Sequence, residues 1–98
     1  MRILAIGQDA PGASQREFQP HLKAEALRLW ELSQAGTIRE CYFRADRSDA
    51  VLILECDDVN EAQEILGTLP LVREELISFE VIPLTPYPGF ARLFAQDA

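Results

Sequence analysis

The chain has 98 residues, 48% of them hydrophobic and 26% charged, and a net charge of −7 at pH 7. That length gives one domain (1–98) with a modest core, and the composition is that of an ordinary globular protein without low-complexity segments or repeats. The acidic balance, with Lys and Arg scattered and not clustered, argues against nucleic acid and anionic membrane as partners.

Arg2–Gly7 reads as a first strand. Its apolar part, Ile3-Leu-Ala-Ile6, is too short for a signal-peptide core or a transmembrane helix, so the cytoplasm is the expected location. Gln8–Ala13, with Pro11-Gly12, is a loop. Ser14-Gln-Arg-Glu17 matches the S-x-x-E capping box. Pro20 would interrupt a helix begun there but is suited to the first position of a new one. The spacing therefore predicts a short turn at 14–19 and a main helix from Pro20 to about Ala35, ended by Gly36, with a kinked continuous helix as the alternative. Leu22, Ala26, Leu29, Trp30 and Ser33 follow helical spacing and are expected to face the sheet, with His21, Glu25, Arg28 and Leu32 as a neighbouring stripe.

Thr37–Ala45 and Ala50–Cys56 read as a hairpin around Asp46-Arg-Ser-Asp49. Pairing Ala45 with Ala50 would set Cys41 opposite Leu54 and diagonal to Cys56. Two buried small hydrophobes in a reducing compartment, not a disulfide, are the expected state of these cysteines. Ala50-Val-Leu-Ile-Leu54 is apolar at every position, the mark of a strand covered on both faces. Two helices can cover only one of them. Asp58-Val-Asn-Glu61 starts a second helix with an aspartate cap and Val59, Ala62, Ile65 and Leu66 on its apolar face, and Gly67 stops it. Leu69–Val72 is a compact apolar turn. Leu76–Leu84 is the last strand, held to a sheet edge by Pro83 and Pro86. The tail from residue 88 carries Phe90, Leu93 and Phe94, which either dock on a partner subunit or fold back over the chain's own helices.

The order is strand, helix, strand, strand, helix, strand: an α+β, ferredoxin-like βαββαβ fold with a four-stranded antiparallel sheet and both helices on one face. The uncovered face is expected to pair sheet to sheet in a homodimer, giving a dimeric α/β barrel.

Leu22-Lys-Ala24, Gly36-Thr37 with Arg39, Arg44, Leu69-Pro70-Leu71 and Glu80-Val81 stand in an order and spacing that resembles the muconolactone isomerase family. That family belongs to the dimeric α/β-barrel superfamily. The resemblance covers about seventy residues and leaves out Met1–Gln19; Tyr87-Pro88 stands where the enzyme has a histidine before the proline. It implies a barrel shared by two subunits, assembly into rings, a ligand cleft between helices and sheet, and a double-bond shift in a carboxylate-bearing unsaturated lactone.

Such a reaction needs a base, an acid and a cation for the carboxylate. His21 and Glu25, four apart on one helix face, are candidates for proton transfer, with Lys23 pointing elsewhere. Tyr42 and Arg44 project from one side of the hairpin strand with Ile38 and Glu40, so Tyr42 could donate to a developing enolate and Arg44 could clamp a carboxylate. Arg39 is the second candidate for substrate binding, on the family match. Each has a plainer reading: a solvated His21–Glu25 pair, a packed Tyr42, an Arg44 ion pair at the rim and an Arg39 ion pair across a dimer. One histidine, no CxxC spacing and single glycines point to no metal, cofactor, nucleophile triad or phosphate loop. The expectation is thus a small-molecule ligand handled without a cofactor by an isomerase-like enzyme. The alternative is a non-catalytic dimeric binding module.

Overall fold

The computed structural model describes residues 1–95. Its elements are β1 (Arg2–Asp9), a helical turn α1 (Gln15–Phe18), α2 (Leu22–Gln34), β2 (Ile38–Phe43), β3 (Ala50–Glu55), α3 (Val59–Leu66), a second turn α4 (Pro70–Arg73) and β4 (Ile77–Pro83). All pairings are antiparallel and the sheet order is β2-β3-β1-β4, the ferredoxin-like arrangement. β4 is an edge strand, in keeping with Pro83 at its end.

Each end has a local cause. Ser14 donates from its amide and its hydroxyl to Glu17 Oε1 (3.0 and 3.2 Å) and starts α1. Pro20 falls in a 3₁₀ turn over Gln19–His21, so the main helix begins at Leu22, two residues beyond the expected start. It ends in a Schellman motif: Gly36 at φ +80° donates to Ser33 O, and Thr37 N–H donates to Leu32 O. Asp58 caps α3 by accepting from Glu61 N–H at 2.8 Å. The Leu69–Val72 segment winds into α4, with Leu69, Pro70 and Leu71 buried.

Strand alternation sends Ile3 and Ala5 from β1 and Leu52 and Leu54 from β3 under the helices, all fully buried against Leu32, Ala62, Leu66 and Leu69. Truncating Leu54 to alanine removes a side chain with no room to collapse. The expected cost is about 2–5 kcal/mol, read as a lower denaturant midpoint at unchanged slope.

Three local expectations are corrected. α2 is turned by about one residue from the predicted face: Glu25 and Leu32 are buried and Leu29 joins the core, whereas Leu22 and Ala26 are exposed and Trp30 is 62% exposed. Polar contacts made by the inner stripe, described below, hold that rotation. The hairpin pairs Phe43, not Ala45, with Ala50, so Cys41 lies opposite Leu52. Arg44–Asp46 and Arg47–Asp49 pairs occupy the longer connection. Both cysteines are free, but only Cys56 is buried as expected; Cys41 is exposed, because β2 is an edge strand. Of the two alternatives for the tail, folding back over the chain's own helices is the one not seen: the tail forms a 3₁₀ turn over Pro88–Leu93, with Phe90, Leu93 and Phe94 66%, 76% and 85% exposed. Residues 96–98 of that tail lie outside the described ones.

A bulge in β2 matters most for the site. Ile38 pairs with Leu54, but Glu40 pairs with Ile53, so one residue is inserted between them. Ile38 therefore stays on the helix-covered face. Glu40 and Tyr42 pass to the open face, and alternation places Arg44 with them. There Leu4, Ile6, Val51, Ile53 and Ile82 form a half-buried aliphatic patch, with Leu4 paired to both Ile53 and Ile82, and Val51 to Tyr42.

Candidate functional site

Glu25 is 7% exposed on the inner face of α2. Its Oε1 accepts from Leu71 N–H at 2.9 Å. That amide is free because Pro70 opens α4 and Leu71 follows it, a position with no earlier carbonyl to bond. Among the described residues no fully buried side-chain oxygen lacks a partner. Oε2 of Glu25, without a hydrogen bond among the described residues, is therefore not fully buried. Burial raises the Glu25 carboxyl above the ordinary range, and the Leu71 amide opposes this in part. The group is a nearly buried carboxyl with one oxygen held by a backbone amide.

Three residues further along the same stripe, Arg28 donates from Nε to Thr68 Oγ1 at 2.9 Å and pairs with Glu31 at 3.4 Å. Glu25 fastens α2 to α4, and Arg28 fastens it to the connection between α3 and α4. His21, the residue preceding α2, is half-buried and one turn before Glu25.

The fold thus brings His21 and Glu25 to one stripe and sends Tyr42 and Arg44 to the opposite face of the sheet. Tyr42 OH donates to Glu40 Oε1 at 2.7 Å, which holds the phenol above its usual range. Arg44 forms a two-pronged pair with Asp46, Nε to Oδ1 at 2.9 Å and Nη2 to Oδ2 at 2.6 Å. Arg39 occupies the bulge, exposed, close enough to Glu55 to help lower that carboxyl's pKa behind the N-terminal ammonium and Arg2. Within one subunit none of these three meets Glu25.

A second feature was not legible in the sequence. A groove of about 440 Å³ runs between β4 and the α3–α4 side, with Leu66, Val72, Phe79 and Val81 as apolar lining and Asp9 and Glu75 as its charged residues. α4 serves both places: Leu71 holds Glu25, and Val72 lines the groove. Asp9 ends β1 opposite Ile77 on the helix side. Burial, and then the charge of Asp49, raise its carboxyl, while Arg47 opposes. The signal was the alternation Ile3, Ala5, Gly7, Asp9, which a loop assignment at 8–13 concealed. Among the described residues no group of three His, Cys, Asp or Glu side chains could hold a metal ion, and no helix is long and apolar enough to cross a membrane.

Glu25 has a pH signature. Its folded pKa is raised, so its neutral form is favoured by folding; that contribution is complete below the ordinary value of 4.5 and is lost as pH rises through the folded value. Glu25→Gln does not titrate. Thermal melts of the two proteins in a pH series are expected to shift in favour of the glutamine variant as pH rises through this window. Asp9, raised as well, and Glu55, lowered, are common to both proteins and cancel in the comparison.

The family model described as muconolactone delta-isomerase matches residues 8–89, reaching upstream of the resemblance read from the sequence. Among solved structures, 5-chloro-2-hydroxyhydroquinone dehydrochlorinase from Burkholderia phenoliruptrix AC1100, in complex with 2,5-dihydroxybenzoquinone, superposes with a TM-score of 0.69 at 17% identity. The alignment covers 91% of this chain and 98% of the other, and it shows a shared fold. No significant match to a curated protein was found. With the family model spanning most of its length and the ferredoxin-like sheet in place, this chain belongs to the muconolactone delta-isomerase family.

Proposed function

We propose that the chain is a cofactor-free enzyme that moves a proton on a small lactone or carboxylate-bearing cyclic molecule, with Glu25 as the proton carrier. The observation that carries this reading is the state of Glu25: buried, pinned by Leu71 and raised in pKa, on a helix of a protein in an isomerase family. The ionised carboxylate takes a proton from the carbon attached to the far end of the double bond conjugated to the carbonyl. The electron pair moves into the ring as a dienolate, and the carboxyl returns the proton to the carbon next to the carbonyl, so the double bond shifts out of conjugation and no redox change occurs. A raised pKa suits both halves of that cycle. His21, one turn away, orients the substrate or relays the proton. The dehydrochlorinase shares the fold while acting on a ring compound, which supports a cyclic substrate class.

Tyr42, Arg44 and Arg39 belong in this reading to the open face of the sheet and its edge, where a second copy would meet them. Tyr42 with the patch around Leu4 and Ile53 forms the contact, and Arg44 and Arg39 serve its rim; a shared site across two subunits would use them there. A homodimer, alone or multiplied into a ring, is the proposed assembly. Two free cysteines fit a reducing, cytoplasmic setting.

One observation favours a second reading. Glu25 to Leu71 and Arg28 to Thr68 are both contacts that lock α2 in place, so Glu25 could serve structure alone in a non-catalytic dimeric binding module. Incubating the purified protein with muconolactone and following the ultraviolet absorbance of the conjugated system, with Glu25→Gln beside it, separates the two.

A further inference from the structure

The short turn α4 stands between the Glu25 carboxyl and the groove, and its construction ties the two together. Leu71 N–H donates to Glu25 Oε1 at 2.9 Å, while Val72, the next residue, lines the groove together with Glu75. The turn closes as a Schellman motif: Leu76 N–H donates to Leu71 O at 2.9 Å and Glu75 N–H to Val72 O at 3.0 Å. The left-handed position of that motif usually holds glycine, as Gly36 does at the end of α2. In α4 it holds Glu75, at φ +59°, the one non-glycine residue with a positive φ among those described. Strain of this kind collects where a side chain is needed at a site. Glu75 puts a carboxyl on the groove wall.

Support of the turn is uneven. Leu69, Pro70 and Leu71 are buried, whereas Val72 is half-buried and meets the groove. Leu71 and Val72 each carry one bond of the chain reversal, so a contact at Val72 or Glu75 acts within one residue of the Leu71 amide. That amide has no rival at Glu25. The titratable side chains on the helices around the carboxyl are His21 and Arg28 on its own stripe, Arg73 on α4, and Glu61 and Glu64 on α3. None of them is among the causes of its raised pKa, which are burial and, in opposition, the Leu71 amide.

We propose that α4 positions Glu25 from the groove: a small molecule seated there, an apolar ring carrying a hydroxyl or amine for Asp9 and Glu75, packs on Val72, steadies the Leu71 amide against the carboxyl and so favours its ionised form. Val72 is then a positioning residue. The consequence for catalysis rests on the proton-carrier reading of Glu25, whereas the coupling is a property of the carboxyl alone.

The test follows the titration of Glu25 by NMR in the full-length chain labelled with carbon-13 at the glutamate carboxyls, the Glu25 resonance being the one that Glu25→Gln removes. Val72→Ala is expected to raise the proton affinity of Glu25 roughly threefold to tenfold, seen as an upward move of the midpoint, because a loosened amide stabilises the carboxylate less. Val81→Ala removes the same atoms from the β4 wall of the groove and is expected to leave the midpoint in place. Benzyl alcohol added to the parent chain is expected to move the midpoint down, and to lose that effect in Val72→Ala. A midpoint unmoved by Val72→Ala, or moved equally by both alanine substitutions, overturns the proposal. A midpoint that benzyl alcohol leaves in place in the parent overturns it as well, and this arm depends on no variant's folding. None of these results is read from turnover, so the proton-carrier reading stands or falls separately, on the activity of Glu25→Gln.

Discussion

Glu25→Gln is expected to lower turnover of a muconolactone-type substrate by roughly 10²–10⁴-fold, the usual share of a positioned acid–base group, while leaving the melting temperature within a few degrees of the parent. The amide is nearly isosteric and its Oε1 can still accept from Leu71 N–H, so the fastening of α2 survives. Glu25→Ala differs in the second respect. It strands a buried amide, at a cost of about 1–3 kcal/mol, or several degrees per kcal/mol in a domain of this size. The pair of variants therefore separates the two roles. Lost activity in both with lost stability only in the alanine protein supports the proton carrier. Full activity in the glutamine protein leaves Glu25 as a structural pin, and the reaction must then be sought elsewhere.

The parts of the fold that sequence reasoning reached are those set by strong local signals. The apolar run Ala50–Leu54, the Gly36 stop, the Asp58 cap and the prolines after Ile82 each have one physical meaning, and each lies where expected. What escaped it depends on single residues whose effect is decided by tertiary contact. Apolar periodicity on α2 favours Leu22, Ala26 and Trp30 as the inner face. The helix instead buries Glu25, because the Leu71 amide from 46 residues away supplies a partner that makes burial of a carboxyl tolerable. The β2 bulge moves Tyr42 and Arg44 to the far side of the sheet. No residue near Arg39 announces it, since a bulge needs no glycine. Candidate residues chosen by helical spacing, His21 and Glu25, thus share a stripe, and those chosen by strand alternation across the bulge do not join them.

The adjacent positions Leu52 and Ile53 on β3 make the strongest contrast available in this protein. Leu52 is fully buried under the helices and Ile53 is half-buried on the open face. Lysine at Leu52 is expected to prevent folding, because a charge in the core has no partner there. Lysine at Ile53 is expected to leave the circular dichroism and the monomer fold intact while converting a dimer, or a multiple of it, into a monomer by native mass spectrometry. A two-fold interface carries every substitution twice, and Ile53 is paired with Leu4 near the centre of the patch. Two charges buried among aliphatic side chains should therefore cost several kcal/mol, with each ~1.4 kcal/mol weakening association tenfold. A parent protein that is monomeric at micromolar concentration would remove the reason for this patch. An Ile53→Lys protein that stays associated would move the interface elsewhere. The core explains the apolar residues on one side of β3 and the proposed second copy those on the other, and this pair of substitutions addresses them one at a time.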